Sequence, residues 1–264
     1  MSEEAFHIMT QMDLEGAETQ AVLQCAPLLT GIKMSNLLHV REGQQREVAS
    51  MFEATPVSSR ILYKKNGRIS VFLYREQRLK RFLSVGKVRR LLDSFGYRGM
   101  ELPEILSRLS DRYQRHMDGR GDFPHEIGLL LGYPPEDVSG FIENGGKNFL
   151  CSGYWKVYKD PARARRIFDG YDRAREAAIR MAGNGTGIRD IIKYTSEITG
   201  GRINGYDHHR VLDTDRKYKG HGRGCGRRRG NSREKGGCAS YFGGIHGQPE
   251  RGAGICHGLP GHGG

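Results

Sequence analysis

The segment 123–142 constrains the fold more than any other, because it encodes two short helices and the turn between them. Pro124 suits the first position of a helix, and Gly132 suits the left-handed residue that ends one. Pro134 and Pro135 stop the first helix and start the second. We therefore expect a helical hairpin with an apolar face on each helix. The residues expected to face inward are Ile127, Leu130 and Leu131 in the first helix and Val138, Phe141 and Ile142 in the second.

The 264-residue chain divides into two parts of different composition. Residues 200–264 hold 19 of the 38 glycines, six of the ten histidines, three of the five cysteines and +7 of the net charge of +12. The first 199 residues are mildly basic and long enough to bury a core. We predict an α+β domain over residues 1–198. Residues 199–264 are predicted to be disordered, since they hold too few aliphatic side chains to offset their ordering entropy.

The first part of the chain shows no targeting signal. No apolar run reaches the roughly 18–20 residues of a membrane span. Residues 1–14 contain acids and no basic stretch, so they do not resemble a signal peptide. Two cysteines before residue 199 do not make a disulfide framework. We therefore expect a cytoplasmic protein without membrane contact.

A β-hairpin is the clearest local prediction. Residues 60–65 and 68–74 are rich in Ile, Val, Tyr and Phe, as half-buried strands are. They flank Asn66-Gly67, a pair that suits a type I′ turn. A further strand is predicted over 36–40.

Helices are predicted around this hairpin from apolar residues spaced three and four apart. Pro27 is expected to kink or break the first of them. A short strand is also possible over 154–158. Helices outnumber strands, and the fold class is α+β with a small antiparallel sheet, the hairpin 60–74, packed with several helices. The predicted helices are 19–30, 45–54, 76–82, 85–95, 102–117, 161 to about 181, and 186–194.

Two motifs carry a family resemblance: Pro124-His125-Glu126 and Leu131-Gly132-Tyr133-Pro134. With them the chain resembles a bacterial family of unknown function, domain-of-unknown-function family 3793. The likeness extends over about residues 1–195. It implies a shared fold and carries over no catalytic residue. The further matching segments are Cys25-Ala26-Pro27, Gly31-Ile32-Lys33, Asn36-Leu37 and 153–158.

Candidate functional residues come from these segments. His125 and Glu126 are a possible acid–base or ligand pair, although adjacent helical residues point about 100° apart and do not converge by themselves. With Cys25 and Cys151 they suggest a metal or thiol site, for which no C-x-x-C spacing exists. The alternative is a histidine bonded to nearby backbone and two buried, unreactive cysteines. Tyr133 and Trp155 complete the candidate set: His125, Glu126, Cys25, Cys151, Tyr133 and Trp155. No catalytic residue and no cofactor is assigned, and a metal stays undetermined.

The predicted helical hairpin also fits a helix-turn-helix, which makes a DNA-binding regulator acting through 124–144 an alternative function. Its second helix is expected to expose Glu136, Asp137, Ser139, Gly140 and Glu143. Carboxylates there would repel DNA phosphates, so nucleic acid is an unlikely partner for the core. The helices predicted directly after the β-hairpin 60–74 present a basic set that either binds phosphates or forms a solvated face. That set is Arg75, Arg78, Lys80, Arg81, Lys87, Arg89 and Arg90.

The C-terminal part resembles an Arg-Gly-rich tail that binds RNA through its charge. A second interpretation explains more of its residues. The codons of this segment can also be read in the frame that starts at the second base of each codon. In that frame Asn204-Gly205 permits a start codon, and residues 215–219 permit Thr-Gly-Asn-Thr, the phosphate-binding loop sequence of flavodoxins. Our hypothesis is that the reading frame lost its stop and continues out of frame into a neighbouring flavodoxin gene. The flavin site would then belong to the neighbour.

The leading functional prediction is a non-enzymatic interaction module with an unknown protein partner, in a setting linked to flavodoxin-type redox metabolism. It rests on the lack of a convergent catalytic set and on the strand 154–158, which is expected to expose aromatic and basic residues. The alternatives are the DNA-binding regulator and a metal or thiol-redox protein.

Overall fold

The structure is a computed structural model that describes the backbone of residues 1–201 and the side chains of residues 1–195. Over this range the predicted α+β class with a small antiparallel sheet is confirmed. No helix in it is long and apolar enough to cross a membrane. The predicted disordered segment 199–264 begins within a described helix that ends at Gly201. For residues 202–264, the predictions of disorder, RNA binding and frame shift lie outside the described residues.

Ten α-helices and five strands are described between Glu3 and Gly201, together with one π-helical turn, Asp93–Tyr97, which a left-handed Gly96 interrupts. The helices are α1 Glu3–Gln11, α2 Ala17–Leu29, α3 Gln45–Phe52, α4 Glu76–Leu83, α5 Gly86–Leu92, α6 Leu102–Met117, α7 Ile127–Leu130, α8 Pro135–Glu143, α9 Pro161–Gly183 and α10 Ile188–Gly201. The strands are β1 Ser35–Arg41, β2 Ser58–Lys65, β3 Arg68–Tyr74, β4 Cys151–Ser152 and β5 Lys156–Val157.

The main sheet has the antiparallel order β1-β3-β2, so the predicted hairpin forms and its second strand becomes the centre. Asn66 and Gly67 both take positive φ angles, 55° and 74°, as a type I′ turn requires. Central β3 is buried on both faces. Ile69, Val71 and Leu73 join the core cluster that includes α2, whereas α6 packs against neighbouring β2.

Of the kink or break predicted at Pro27, the break does not occur, since α2 continues through Pro27 to Leu29. Only two helical residues follow Pro27, so its missing N–H and its ring disturb a single final turn. Its carbonyl is used outside the helix, where it accepts the backbone N–H of Lys33 at 2.8 Å. Pro27 therefore lies in the last turn of α2, and its carbonyl connects this helix to the turn before β1.

Helix α1 has no counterpart among the predicted elements. Its N-cap Ser2 donates its own backbone N–H to Glu176 of α9, and Glu4 pairs with Arg180 of the same helix. Most of the side chains of α1 are exposed, and Ala5 is its buried residue. Contacts to a helix that is distant in sequence hold α1 in place, together with Ala5, Ile8 and Met9, which pack against the core.

The first helix of the helical hairpin begins further along the chain than predicted, because α7 starts at Ile127 and not at Pro124. Residues 124–126 make a turn in which Ile127 donates its N–H to the Pro124 carbonyl at 3.0 Å. Glu126 is completely buried in this turn. Gly132 has a φ of 81°, as predicted for the residue that ends the first helix.

Helix α8 is rotated relative to the prediction. Ile142, expected inside, is 39% exposed, whereas Asp137, expected outside, is 4% exposed. Gly140 is also buried, because Tyr158 lies directly above it and leaves no room for a side chain. Hydrophobicity alone would bury Ile142 and expose Asp137. The hydrogen bonds that the Asp137 carboxylate accepts fix the opposite orientation of α8.

Candidate functional site

Lys33 is the most unusual side chain in the described part of the chain, because it is a buried cation without a carboxylate partner. It lies in the turn between α2 and β1, where left-handed Gly31 reverses the chain after Thr30. The hydrogen bond from its N–H to Pro27 turns the side chain inward, and only 5% of Lys33 is exposed. Buried lysines are almost always paired with a counter-charge.

The ammonium group of Lys33 has one hydrogen-bond acceptor among the described residues, Asn36 Oδ1 at 2.6 Å. Its nitrogen lies 5.7 Å from the ring centre of Tyr133 and 5.9 Å from that of Tyr171. A lysine ammonium carries three donors, so two have no acceptor in this part of the protein. Burial lowers the pKa of Lys33 to about 8, against a small opposing effect of Cys25.

Asn36 connects Lys33 to Cys25. Its amide nitrogen donates to the Gln24 carbonyl at 2.7 Å and contacts Cys25 Sγ at 3.3 Å. Burial raises the pKa of the Cys25 thiol to about 12, and the Asn36 contact opposes this only partly. Cys25 is therefore a protonated core thiol rather than a nucleophile.

Aromatic side chains form the wall beside Lys33. Tyr133 stacks on Trp155 with ring centres 5.1 Å apart, and the edge of Trp155 meets Phe168 at 4.6 Å. Burial raises the pKa of Tyr133 to about 12. The pKa of Tyr171 is also raised, first by burial and then by Tyr133 and Tyr154. Neither the Tyr133 nor the Tyr171 hydroxyl has a hydrogen-bond partner among the described residues.

Asp137 holds this wall in place. Its Oδ2 accepts the Trp155 indole N–H at 2.7 Å, and its Oδ1 accepts the backbone N–H groups of Tyr158 at 2.8 Å and Lys159 at 3.2 Å. Trp155 is consequently 8% exposed and Val157 is fully buried. The expectation that strand 154–158 exposes its aromatic residues is therefore wrong for Trp155, because a carboxylate on α8 satisfies its indole inside the protein.

Arg75, the residue before α4, and Arg78 of α4 contact the turn from the other side. Arg75 donates to the Leu28 carbonyl at 3.2 Å, and Arg78 donates to the Gly31 carbonyl. These contacts place positive charge at the carbonyl end of α2, where the helix dipole favours it. Burial and then the charge of Arg78 lower the pKa of Arg75 to about 10.

The rest of the predicted basic set is divided between two roles. Lys80 pairs with Glu76 at 2.6 Å within α4, Lys87 of α5 pairs with Glu136 of α8 at 3.6 Å, and Arg89 pairs with Asp93 at 2.9 Å. Arg81 and Arg90 lie on the exposed surface. The positive charges therefore do not form one continuous face.

The structure separates the predicted site residues. Cys25, Tyr133 and Trp155 all belong to the surroundings of Lys33. Cys151 is half-buried in β4 and packs against the cluster of Trp155. Lys33 itself was missed as a site residue. The signal that could have found it is a single lysine two residues before the largely buried strand β1.

His125 and Glu126 lie elsewhere and point in different directions. Glu126 Oε1 accepts the Tyr97 hydroxyl at 2.8 Å and pairs with Arg112 Nε at 2.9 Å. The His125 ring instead contacts the rings of Phe123 and Phe141. The pair therefore does not converge on one atom. Among the described residues, no group of three or more His, Cys, Asp or Glu side chains could hold a metal ion.

These features define a helix-rich α+β domain with a buried lysine that has no carboxylate partner among the described residues. The chain belongs to the family described as Protein of unknown function (DUF3793), which it matches over residues 21–192. Comparison with curated proteins and with solved structures finds no match. The family resemblance predicted from the motifs is thus confirmed. Motif residues from separate segments lie around Lys33: Asn36 and Tyr133 contact it, Cys25 contacts Asn36, and Trp155 stacks on Tyr133.

Proposed function

We propose that this domain is a non-enzymatic, cytoplasmic interaction module that binds an acidic surface of a partner protein. The binding surface would be an apolar–basic patch formed by Phe141, Ile142, Phe149, Leu150 and Lys156. The observation that carries the proposal is the exposure of Phe149 and Leu150, at 43% and 57%, beside the lysine. Exposed large apolar side chains grouped with charge are typical of protein-binding surfaces.

Backbone hydrogen bonds hold the patch in a defined shape. Gly146 donates its N–H to the Phe141 carbonyl at 2.8 Å, and Leu150 donates its N–H to the Val157 carbonyl at 2.8 Å. Lys156 Nζ donates to the Gly146 carbonyl at 2.8 Å. The same nitrogen lies 5.6 Å from the Phe141 ring centre and 5.2 Å from that of Phe149. A preorganised loop of this kind lowers the entropy cost of binding.

The charge of the patch favours an acidic partner. Lys147 is exposed in the same loop as Phe149, and Lys156 lies between the two aromatic rings. Complementary charge speeds encounter, while the apolar side chains provide buried area. The flavodoxin encoded in the shifted frame is the first partner to test, because that hypothesis places its gene directly beside this one.

The test is a titration of the full chain with this flavodoxin, followed by calorimetry. We expect Phe149→Asp and Leu150→Asp each to weaken binding at least about tenfold, as changes at interface centres do. Phe6→Asp is the matched control, because Phe6 is similarly exposed, at 54%, on α1. Unchanged affinity in both patch variants, or equal loss in the control, would contradict the proposal. Absence of binding by the unaltered chain would remove flavodoxin as the partner.

The two alternative functions have less support. Asp137 and Gly140 of α8 are buried, so they are not available to read a DNA groove, and Glu143 stays exposed on the same helix. Cys25 is a buried thiol with a raised pKa, which does not favour thiol-redox chemistry. Both alternatives remain predictions from the sequence.

A further inference from the structure

We propose that Lys33, Tyr133 and Tyr171 form a binding site for a small oxyanion, the carboxylate or phosphate group of a small molecule. The site is independent of the apolar–basic patch. It would bind its ligand through the Lys33 ammonium and the two tyrosine hydroxyls.

The first argument is that these groups offer donors without acceptors. Two ammonium donors of Lys33 have no acceptor among the described residues, and neither tyrosine hydroxyl has a hydrogen-bond partner there. The argument is strongest for Lys33, which is 5% exposed, because buried polar groups in folded proteins are almost always satisfied by protein, water or ligand. A ligand that only accepts hydrogen bonds, as an oxyanion does, complements such a set.

The second argument is charge. No carboxylate of the described residues pairs with Lys33, and the charge of Arg78 reaches the Tyr171 hydroxyl, whose pKa it lowers against the larger effect of burial. Leaving a buried cation uncompensated costs several kcal/mol in typical proteins. A bound anion would supply the missing counter-charge.

The third argument concerns how the donors are held. Lys33 is oriented by Asn36, Tyr133 is stacked on Trp155, and Tyr171 projects from α9 into the same cluster. The three donors thus come from three distant segments whose side chains are each fixed by packing. This is the preorganisation expected of a binding site rather than of a flexible surface.

Trp155 provides a direct readout, because it is the one tryptophan in the chain and stacks on Tyr133. The full chain is titrated with sodium phosphate and, separately, with sodium acetate, while sodium chloride keeps the ionic strength constant. We expect a saturable change in Trp155 emission with at least one of these probes. A response to phosphate alone or to acetate alone identifies the class of ligand.

Variants assign the response to the site. Lys33→Met is expected to abolish it, and Tyr171→Phe, which keeps the ring, is expected to weaken the affinity several-fold. Lys193→Met is the control, because Lys193 is exposed on α10 and its loss should change nothing. Circular dichroism checks that each variant is folded. If Lys33→Met does not fold, Tyr171→Phe still provides a decisive test. No saturable emission change with either probe, or a change that persists in the folded site variants, would overturn the proposal.

Discussion

The ammonium nitrogen of Lys33 lies 2.6 Å from Asn36 Oδ1, and that amide oxygen is its hydrogen-bond acceptor among the described residues. The other end of the same amide donates to the Gln24 carbonyl in α2. Asn36 therefore joins helix α2, the first strand of the sheet and a buried cation. An amide can accept a hydrogen bond from the cation but cannot neutralise its charge, and this leaves Lys33 sensitive to pH.

The stability of the protein should depend on the protonation of Lys33. Its pKa is lowered from 10.5 to about 8 in the folded state, so the unfolded chain binds more protons between these values. The free energy of unfolding should therefore rise with pH from about 8 to 10.5, by as much as about 3 kcal/mol from this group. Urea unfolding of the unaltered chain and of Lys33→Met across this range isolates the contribution. A constant difference between the two proteins would contradict the prediction.

The ion pair between buried Glu126 and half-buried Arg112 should be structural. We expect Glu126→Gln to lower the free energy of unfolding by about 2–4 kcal/mol, because Arg112 loses its charged partner. Tyr97→Phe should cost about 1–2 kcal/mol, the value of one buried hydrogen bond to a charged group. The two effects should not add, since both donors share one carboxylate oxygen. Chemical unfolding measures each change, and Glu143→Gln, at an exposed position of α8, should have little effect.

Asp137 should be sensitive even to an isosteric change. Asp137→Asn places an amide nitrogen opposite an N–H group, because both carboxylate oxygens now accept hydrogen bonds. We expect a loss of about 1–3 kcal/mol in stability. Emission from Trp155 should also move to longer wavelength as the indole loses its partner. Unchanged emission together with unchanged stability would show that these contacts are not important in solution.

Close approach of α8 to the segment after β5 should make Gly140 intolerant of a side chain. A Cβ atom there would lie 2.6 Å from Tyr158 Cβ and Cγ, so Gly140→Ala should destabilise the protein by about 1–3 kcal/mol. Gly86→Ala in α5 is the matched control. Its Cβ would meet only the end of Arg90 at 3.4 Å, so a neutral or stabilising effect is expected. Thermal unfolding of both variants gives the comparison, and equal behaviour would refute the packing argument.

The cysteines of the domain should differ in reactivity. Cys25 is completely buried with a pKa of about 12, whereas Cys151 is half-buried. Brief alkylation of the native protein at neutral pH, followed by peptide mapping, should label Cys151 and leave Cys25 unmodified. Denaturant should make Cys25 react as well. Rapid native labelling of Cys25 would instead support the thiol-redox alternative.

Local patterns in the sequence determined much of the secondary structure and the fold class. Asn66-Gly67 identified the hairpin because few residue pairs tolerate two positive φ angles. Helix α6 has the bounds expected from its apolar spacing, and α9 begins at Pro161 as the proline at its first turn indicated. Such features depend on residues that are close together in the chain, so they can be predicted from the sequence.

The rotation of α8 and the location of the candidate site depended on tertiary structure. Hydrophobicity placed Asp137 outside and Ile142 inside, but hydrogen bonds from Trp155 and Tyr158, about 20 residues away, reverse the two. Lys33 likewise looks like an ordinary loop cation until Tyr133 and Tyr171 are brought beside it. Periodicity describes which face of an element is apolar. Which polar group is satisfied inside is decided by partners from distant segments, and these meet only when the chain has folded.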